Sequence, residues 1–196
     1  MSTQQPEARR TAPGDPAPAR DTASAQDTAS AQDTLRTKPF DGPVVAQAVY
    51  RSRVDWMDTD AAGHHHNTSI TRFVEAAEAT LMRERGLLEY FGAAPRVRFE
   101  VDFTAPLWFD QEVTTTLVLE RIGDSSLAFR FEVWGEQDET APRRLAARGR
   151  YVTVHVPRDS RRSAPWPEEW RNRLSARTDG NPIVGGALAH RPEPAE

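Results

Sequence analysis

The chain contains no cysteine. That one absence excludes a disulfide framework, a thiol nucleophile, a Cys-ligated zinc and an iron–sulfur cluster. Lysine is nearly absent as well: Lys38 is the only one, and every other basic residue is arginine. No run of about 18 apolar residues occurs, so no membrane-spanning helix is expected. A basic excess is also missing, because 25 Lys plus Arg face 29 Asp plus Glu for a formal charge of −4. This balance argues against a general nucleic-acid binder, which carries a basic face. Met1 to Pro6 are followed by no apolar stretch of the kind a secretory signal needs, so a cytoplasmic location is the expectation. The 196 residues leave room for one domain with tails.

Residues 1–40 read as a disordered, low-complexity N-terminal tail. No aromatic residue precedes Phe40, and the hexamer Asp21-Thr-Ala-Ser-Ala-Gln recurs from Asp27 and starts again at Asp33. Such a segment buries too little apolar surface to offset its ordering entropy. Residues 158–196 read as a second tail. Trp166, Trp170 and Leu174 stand at i, i+4, i+8 and predict one short amphipathic helix packed on the domain. The stretch from about Thr178 reads as disordered. Arg158, Arg161 and Arg162 could face a polyanion, or form an ordinary solvated surface.

The domain itself is expected at 41–157. Val44 to Trp56 reads as a strand and 63–67 as a loop. Ile70, Phe73, Val74, Ala77 and Leu81 then mark one face of a helix at i, i+3, i+4, i+7 and i+11. Thr68 or Ser69 is the expected cap. Beyond Pro95 the period changes to two. Val97, Phe99, Val101 and Phe103 alternate with charged residues, and strands follow at 113–121, 127–133 and 145–156, the last three as an antiparallel meander. One helix can cover one face of a five-stranded sheet, so the other surfaces call for a subunit partner.

Chemistry concentrates in Asp58-Thr-Asp60-Ala-Ala-Gly63-His64-His65-His66-Asn67, between a strand end and a helix start. A helix N-terminus offers unpaired amides and partial positive charge. A carboxylate beside such donors is a plausible nucleophile or general base next to an oxyanion site. Asp58 and Asp60 could instead form only an Asx turn, with Asp58 the better candidate for a purely structural acceptor. Three adjacent imidazoles diverge rather than converge, so no metal site is assigned. Glu75 falls off the apolar stripe and reads equally as a solvated or interfacial carboxylate.

Asp58-Thr-Asp60-x-x-Gly63-His64 with Asn67, a helix carrying Glu75, and Val101-Asp-Phe-x-Ala-Pro106 followed by Asp110, Glu112 and Val113 together resemble the 4-hydroxybenzoyl-CoA thioesterase-like family. The resemblance spans roughly 48–157. It implies an α+β hotdog fold, one long helix wrapped by a five-stranded antiparallel sheet. It also implies hydrolysis of an acyl-CoA or acyl-carrier-protein thioester, with Asp60 as the catalytic carboxylate and His64 and Asn67 as its companions. Gly63, His65, His66 and Glu75 become substrate-binding candidates, and amides near Gly63–His66 the oxyanion donors. No cofactor is implied, since CoA enters only as part of the substrate. A homodimer or homotetramer is implied, with the site at a subunit boundary. Departures from the family pattern are His65 and His66 for Val and Asn, Ile70 for Tyr and Glu78 for Arg. The alternatives are a hotdog dehydratase or hydratase, whose D-x-N-P-x-H motif is missing here, and a non-catalytic hotdog that binds an acyl thioester or a partner protein.

Overall fold

A computed structural model of the chain describes residues 44–139, 142–176 and 182–186. The expected N-terminal tail lies outside the described residues, as does most of the segment beyond Ser175.

Five antiparallel strands form in chain order: β1 (Ala46–Arg53), β2 (Arg96–Phe103), β3 (Glu112–Ile122), β4 (Ser126–Gly135) and β5 (Arg144–Val154). The long helix α1 (Asn67–Glu84) separates β1 from β2, and a shorter α2 (Glu168–Ser175) follows β5. The expected α+β layout is therefore present, with one correction. A sixth strand, β6 (Ile183–Gly186), runs parallel to β1, where the sequence predicts no regular structure. Four residues containing two glycines carry no periodicity, so only tertiary pairing reveals them. The sheet order is β2-β5-β4-β3-β1-β6, with the β3-β4-β5 meander at its centre.

The period-two pattern becomes a two-faced sheet. Leu117 and Leu119 on β3, Leu127, Phe129, Phe131 and Val133 on β4, and Tyr151 on β5 turn inward and are buried. They meet Ile70, Phe73, Val74, Ala77 and Leu81 of α1, all fully buried, which are the residues of the sequence stripe. Arginine and carboxylate residues occupy the opposite face, where Arg130 Nη1 donates to Glu120 at 2.7 Å across two strands. β1 stops at Arg53, short of the expected Trp56. Residues Trp56–Asp58 form a single 3-10 turn instead, closed by the Asp58 amide on the Asp55 carbonyl at 2.9 Å.

The segment after β5 folds back on the domain. Trp166 is buried and stacks on His155 with ring centroids 5.0 Å apart. The Trp166 amide donates to the Asp124 carbonyl at 2.9 Å, and His155 Nδ1 donates to the Pro165 carbonyl at 2.8 Å. Leu174 of α2 is fully buried, and Arg173 Nη1 donates to the Gly86 carbonyl at 2.7 Å, so α2 seals the far end of α1.

Gly149 sits where the sheet has no room for a Cβ. A Cβ there would lie 2.0 Å from the Glu100 main-chain oxygen and 2.6 Å from the Phe131 ring. Backbone cannot retreat as a side chain can, so overpacking here separates β2 from β5. Gly149→Ala is expected to destabilise the fold by about 2 kcal/mol or more. Urea unfolding monitored by tryptophan fluorescence measures this, and an unchanged midpoint contradicts it.

Candidate active site

The site is built where β1 hands the chain to α1. Arg53 anchors the exit by donating to the Asp110 carbonyl and to Glu112, each at 2.7 Å. The 3-10 turn then presents Asp58 inward, with 4% of the residue exposed. Its carboxylate accepts the Asp55 amide at 2.9 Å and is gripped by the Arg72 guanidinium, whose Nε donates at 2.8 Å and whose Nη2 contacts the second oxygen. Its carbonyl accepts the His66 amide at 2.7 Å and the Ser69 hydroxyl at 3.0 Å.

A five-residue loop, Asp60 to His64, rises from this base. The Asp60 amide donates to the His64 carbonyl at 2.9 Å, and the Gly63 amide donates to the Asp60 carbonyl at 3.0 Å. Gly63 has φ +80°, the left-handed region where a side chain is strained, which is why glycine stands there. Asp60 Oδ1 accepts the Ala62 amide at 2.8 Å. Its Oδ2 lies 3.6 Å from His64 Nδ1, and its side chain is 32% exposed. His64 Nδ1 also faces the His65 carbonyl at 3.4 Å. Both neighbours are acceptors, so the tautomer carrying the proton on Nδ1 is the one they favour. Asp60 and His64 are thus brought together at the surface.

The other candidates separate. His65 is buried. Its amide donates to the Leu107 carbonyl at 2.8 Å, and its Nδ1 accepts the Leu107 amide at 2.9 Å. Burial, and then the neighbouring His64, push its pKa below the usual 6.5, while the two aspartates pull the other way. His66 is the residue before α1 and Asn67 is the first residue within it, both exposed. The expected cap at Thr68 or Ser69 is corrected by this placement, since Ser69 uses its hydroxyl on Asp58 instead. Glu75 lies eight residues along α1 from Asn67, about 12 Å up the axis, and pairs with Arg96 at 3.1 Å. The expected oxyanion donors need revision as well. Three of the four amides from Gly63 to His66 already donate to the carbonyls of Asp60, Leu107 and Asp58. Asn67 and Thr68, in the first turn of α1, have no preceding helical turn to receive their amides.

Aromatic residues flank the loop. Trp108 pairs with His64 across an isolated bridge, its ring edge-on at 6.0 Å. Trp56 meets Phe109 edge-on at 5.9 Å, and Trp56, Met57, Trp108 and Phe109 are all exposed.

Two features escaped the sequence reading. Arg72 is one, separated from Asp58 by fourteen residues. The other is Glu78, which falls within the apolar stripe of α1 and is 3% exposed. A carboxylate at such a position demands partners, and that was the available signal. Tyr90 donates to it at 2.6 Å and Arg96 at 2.9 Å, while the Tyr90 oxygen accepts from the Thr153 hydroxyl at 3.0 Å. Burial raises the Glu78 pKa above 4.5, against the lowering effect of Tyr90 and Arg96.

These shifts act oppositely on stability. The contribution through Glu78 is present in full below pH 4.5 and is lost as pH rises through its raised folded value. The contribution through His65 is present above pH 6.5 and is lost as pH falls through its lowered folded value. Melting temperatures across pH 4.5–7 are therefore expected to fall more steeply on acidification in Glu78→Gln than in wild type. In His65→Asn, whose amide oxygen can still accept from Leu107, they are expected to fall less steeply.

Comparison with known proteins agrees with this architecture. The family profile described as the thioesterase-like superfamily matches residues 54–174. No protein of curated function matches the chain. Among solved structures, the PA5185 protein of Pseudomonas aeruginosa strain PAO1 is 30% identical, with 68% of this chain and 94% of that one aligned at a TM-score of 0.57. The 4-hydroxybenzoyl-CoA thioesterase of Pseudomonas sp. strain CBS-3 is 17% identical over 65% of this chain and 99% of its own, at 0.59. Slr0204, a 1,4-dihydroxy-2-naphthoyl-CoA thioesterase from Synechocystis, is 23% identical over 66% and 96%, at 0.55. With a profile covering the loop, α1, strands β2 to β5 and nearly all of α2 in one span, the chain belongs to the thioesterase-like superfamily and has its hotdog fold.

Proposed function

We propose that the protein hydrolyses an acyl thioester of coenzyme A or of an acyl carrier protein, with Asp60 as the working carboxylate. The observation that carries this reading is the pairing of a surface carboxylate and an imidazole, 3.6 Å apart, on a loop tied to the N-terminal end of an 18-residue helix. A thioester carbonyl is already electrophilic and a thiolate leaves readily, so the protein needs to supply little beyond a nucleophile or base and oxyanion donors. Asp60 takes a proton from attacking water, or attacks the carbonyl itself. By either route the C–S bond breaks and the departing thiolate takes up a proton; with water as nucleophile the free acid leaves directly, and with Asp60 as nucleophile a water then hydrolyses the mixed anhydride to free acid and restores the carboxylate. The first-turn amides of Asn67 and Thr68 supply donors for the developing oxyanion, in place of the loop amides already engaged. His64 orients the carboxylate, and Trp108 beside it walls the acyl group.

The subunit arrangement follows from what α1 leaves uncovered. α1 packs chiefly on β1, β3, β4 and β6. β2 is an edge strand, and its inward row is exposed at Val97 and Phe103 and only half-buried at Phe99 and Val101. A second copy paired along β2 covers that row and makes a homodimer, from which a homotetramer can be built.

Thiol release from a panel of acetyl-, decanoyl-, benzoyl- and 4-hydroxybenzoyl-CoA tests the reaction. Hydrolysis of at least one is expected, and Asp60→Asn is expected to lower kcat/KM about hundredfold or more. Undiminished turnover in Asp60→Asn removes Asp60 from the mechanism. Sedimentation velocity tests the assembly: wild type is expected as a dimer or larger, and Phe103→Glu as a shift toward monomer. A wild-type protein that sediments as a monomer contradicts the β2 interface.

A further inference from the structure

Asp58 and Asp60 stand two residues apart and have opposite surroundings. The Asp58 side chain is 5% exposed and held by Arg72, while Asp60 is open to solvent beside His64. Four residues at the base of the Asp60 loop hydrogen-bond to Asp58. The His66 amide and the Ser69 hydroxyl take the Asp58 carbonyl, and Arg72 and the Asp55 amide take its carboxylate. Ser69 and Arg72 are three apart on α1 and so project from one side of the helix. The loop carrying Asp60 is thereby attached to the same helical turn whose first amides are the proposed oxyanion donors.

The attachment is also electrostatic. Arg72 is the cation that balances the Asp58 carboxylate. It stands 46% exposed, within 3.9 Å of Asp55 and with its guanidinium 4.7 Å from the Phe73 ring. Without it, a nearly buried negative charge would stand unpaired two residues along the chain from the working carboxylate. We propose that Arg72 and Asp58 are positioning residues for Asp60: the pair sets the angle between loop and helix and keeps the second negative charge neutralised. This rests on the hydrolase reading of Asp60.

The test uses the full chain, with whichever of acetyl-, decanoyl-, benzoyl- and 4-hydroxybenzoyl-CoA wild type turns over fastest as probe, and Arg72→Met, Arg72→Lys and Asp58→Asn as variants. Arg72→Met is expected to lower kcat about tenfold to hundredfold, with KM changed less than about twofold, because a displacement near 1 Å penalises chemistry more than binding. The acid limb of kcat/KM is expected to move up by roughly 0.5–1 pH unit in Arg72→Met, which leaves Asp58 unbalanced, and down in Asp58→Asn, which leaves Arg72 unbalanced. Arg72→Lys is expected to keep the wild-type limb while recovering only part of kcat, since an ammonium retains the charge but not the two-pronged grip. Limbs that coincide with wild type, or that move the same way in Arg72→Met and Asp58→Asn, overturn the proposal.

A readout independent of turnover separates this from failure of the hydrolase reading. Hydrogen exchange at the Asp60 and His66 amides, both bonded at the loop base, is expected to accelerate about tenfold in Arg72→Met, as a loosened segment opens more often. Unchanged exchange overturns the attachment whether or not any thioester is cleaved. Absence of thiol release by wild type, with accelerated exchange in the variant, leaves the attachment standing and removes the hydrolase reading. If Arg72→Met does not fold by circular dichroism, Asp58→Asn carries both measurements.

Discussion

A helix of 18 residues is about 27 Å long and about 10 Å wide, and it cannot cover a sheet six strands and roughly 24 Å across. Much of the molecule can be understood from that mismatch. α1 lies over the β1–β3 side, where its apolar stripe meets the inward rows of those strands. The β5 side is closed by other means: Trp166 stacked between Tyr90 and His155, Leu174 beneath α2, and the Glu78–Tyr90–Thr153 hydrogen bonds. β2 receives neither, and its alternating apolar residues stay half-open.

The same helix gives the site its footing. Its N-terminal turn is not capped by a side chain. Instead, the turn is joined to the incoming loop through Ser69 and Arg72 on Asp58, so helix and loop are held together by one acceptor residue. In the proposed mechanism the two neighbouring aspartates divide the work by exposure. The enclosed Asp58 must be paired and serves as scaffold, while Asp60 at the surface is the one left to react.

Much of the fold was legible because periodicity reports burial. Ile70, Phe73, Val74, Ala77 and Leu81 advertise a helix face, and Phe129, Phe131 and Val133 advertise a strand face, before any contact is known. The loop of Asp60, Gly63 and His64 was legible as a loop because a turn of this kind needs a glycine at positive φ. What stayed hidden depends on register and distance in space. His64, His65 and His66 are identical letters, yet one sits beside Asp60, one is buried against Leu107 and one precedes the helix. Nothing in their order foretells which. Glu75 and Glu78 look alike in sequence as well. Only the direction of α1 makes the first a surface partner of Arg96 and the second a buried one.

β6 lies alongside the middle of β1, from Ala48 to Arg51, and occupies main-chain donors and acceptors that would otherwise face water. A sheet exposed at both margins can recruit copies endlessly, each newcomer offering a fresh margin to the next. β6 moves one margin from β1 to a strand of only four residues, and so short an edge offers a newcomer little to pair with. If copies pair through β2, as proposed, the short opposite margin disfavours further strand-on-strand growth into a fibre.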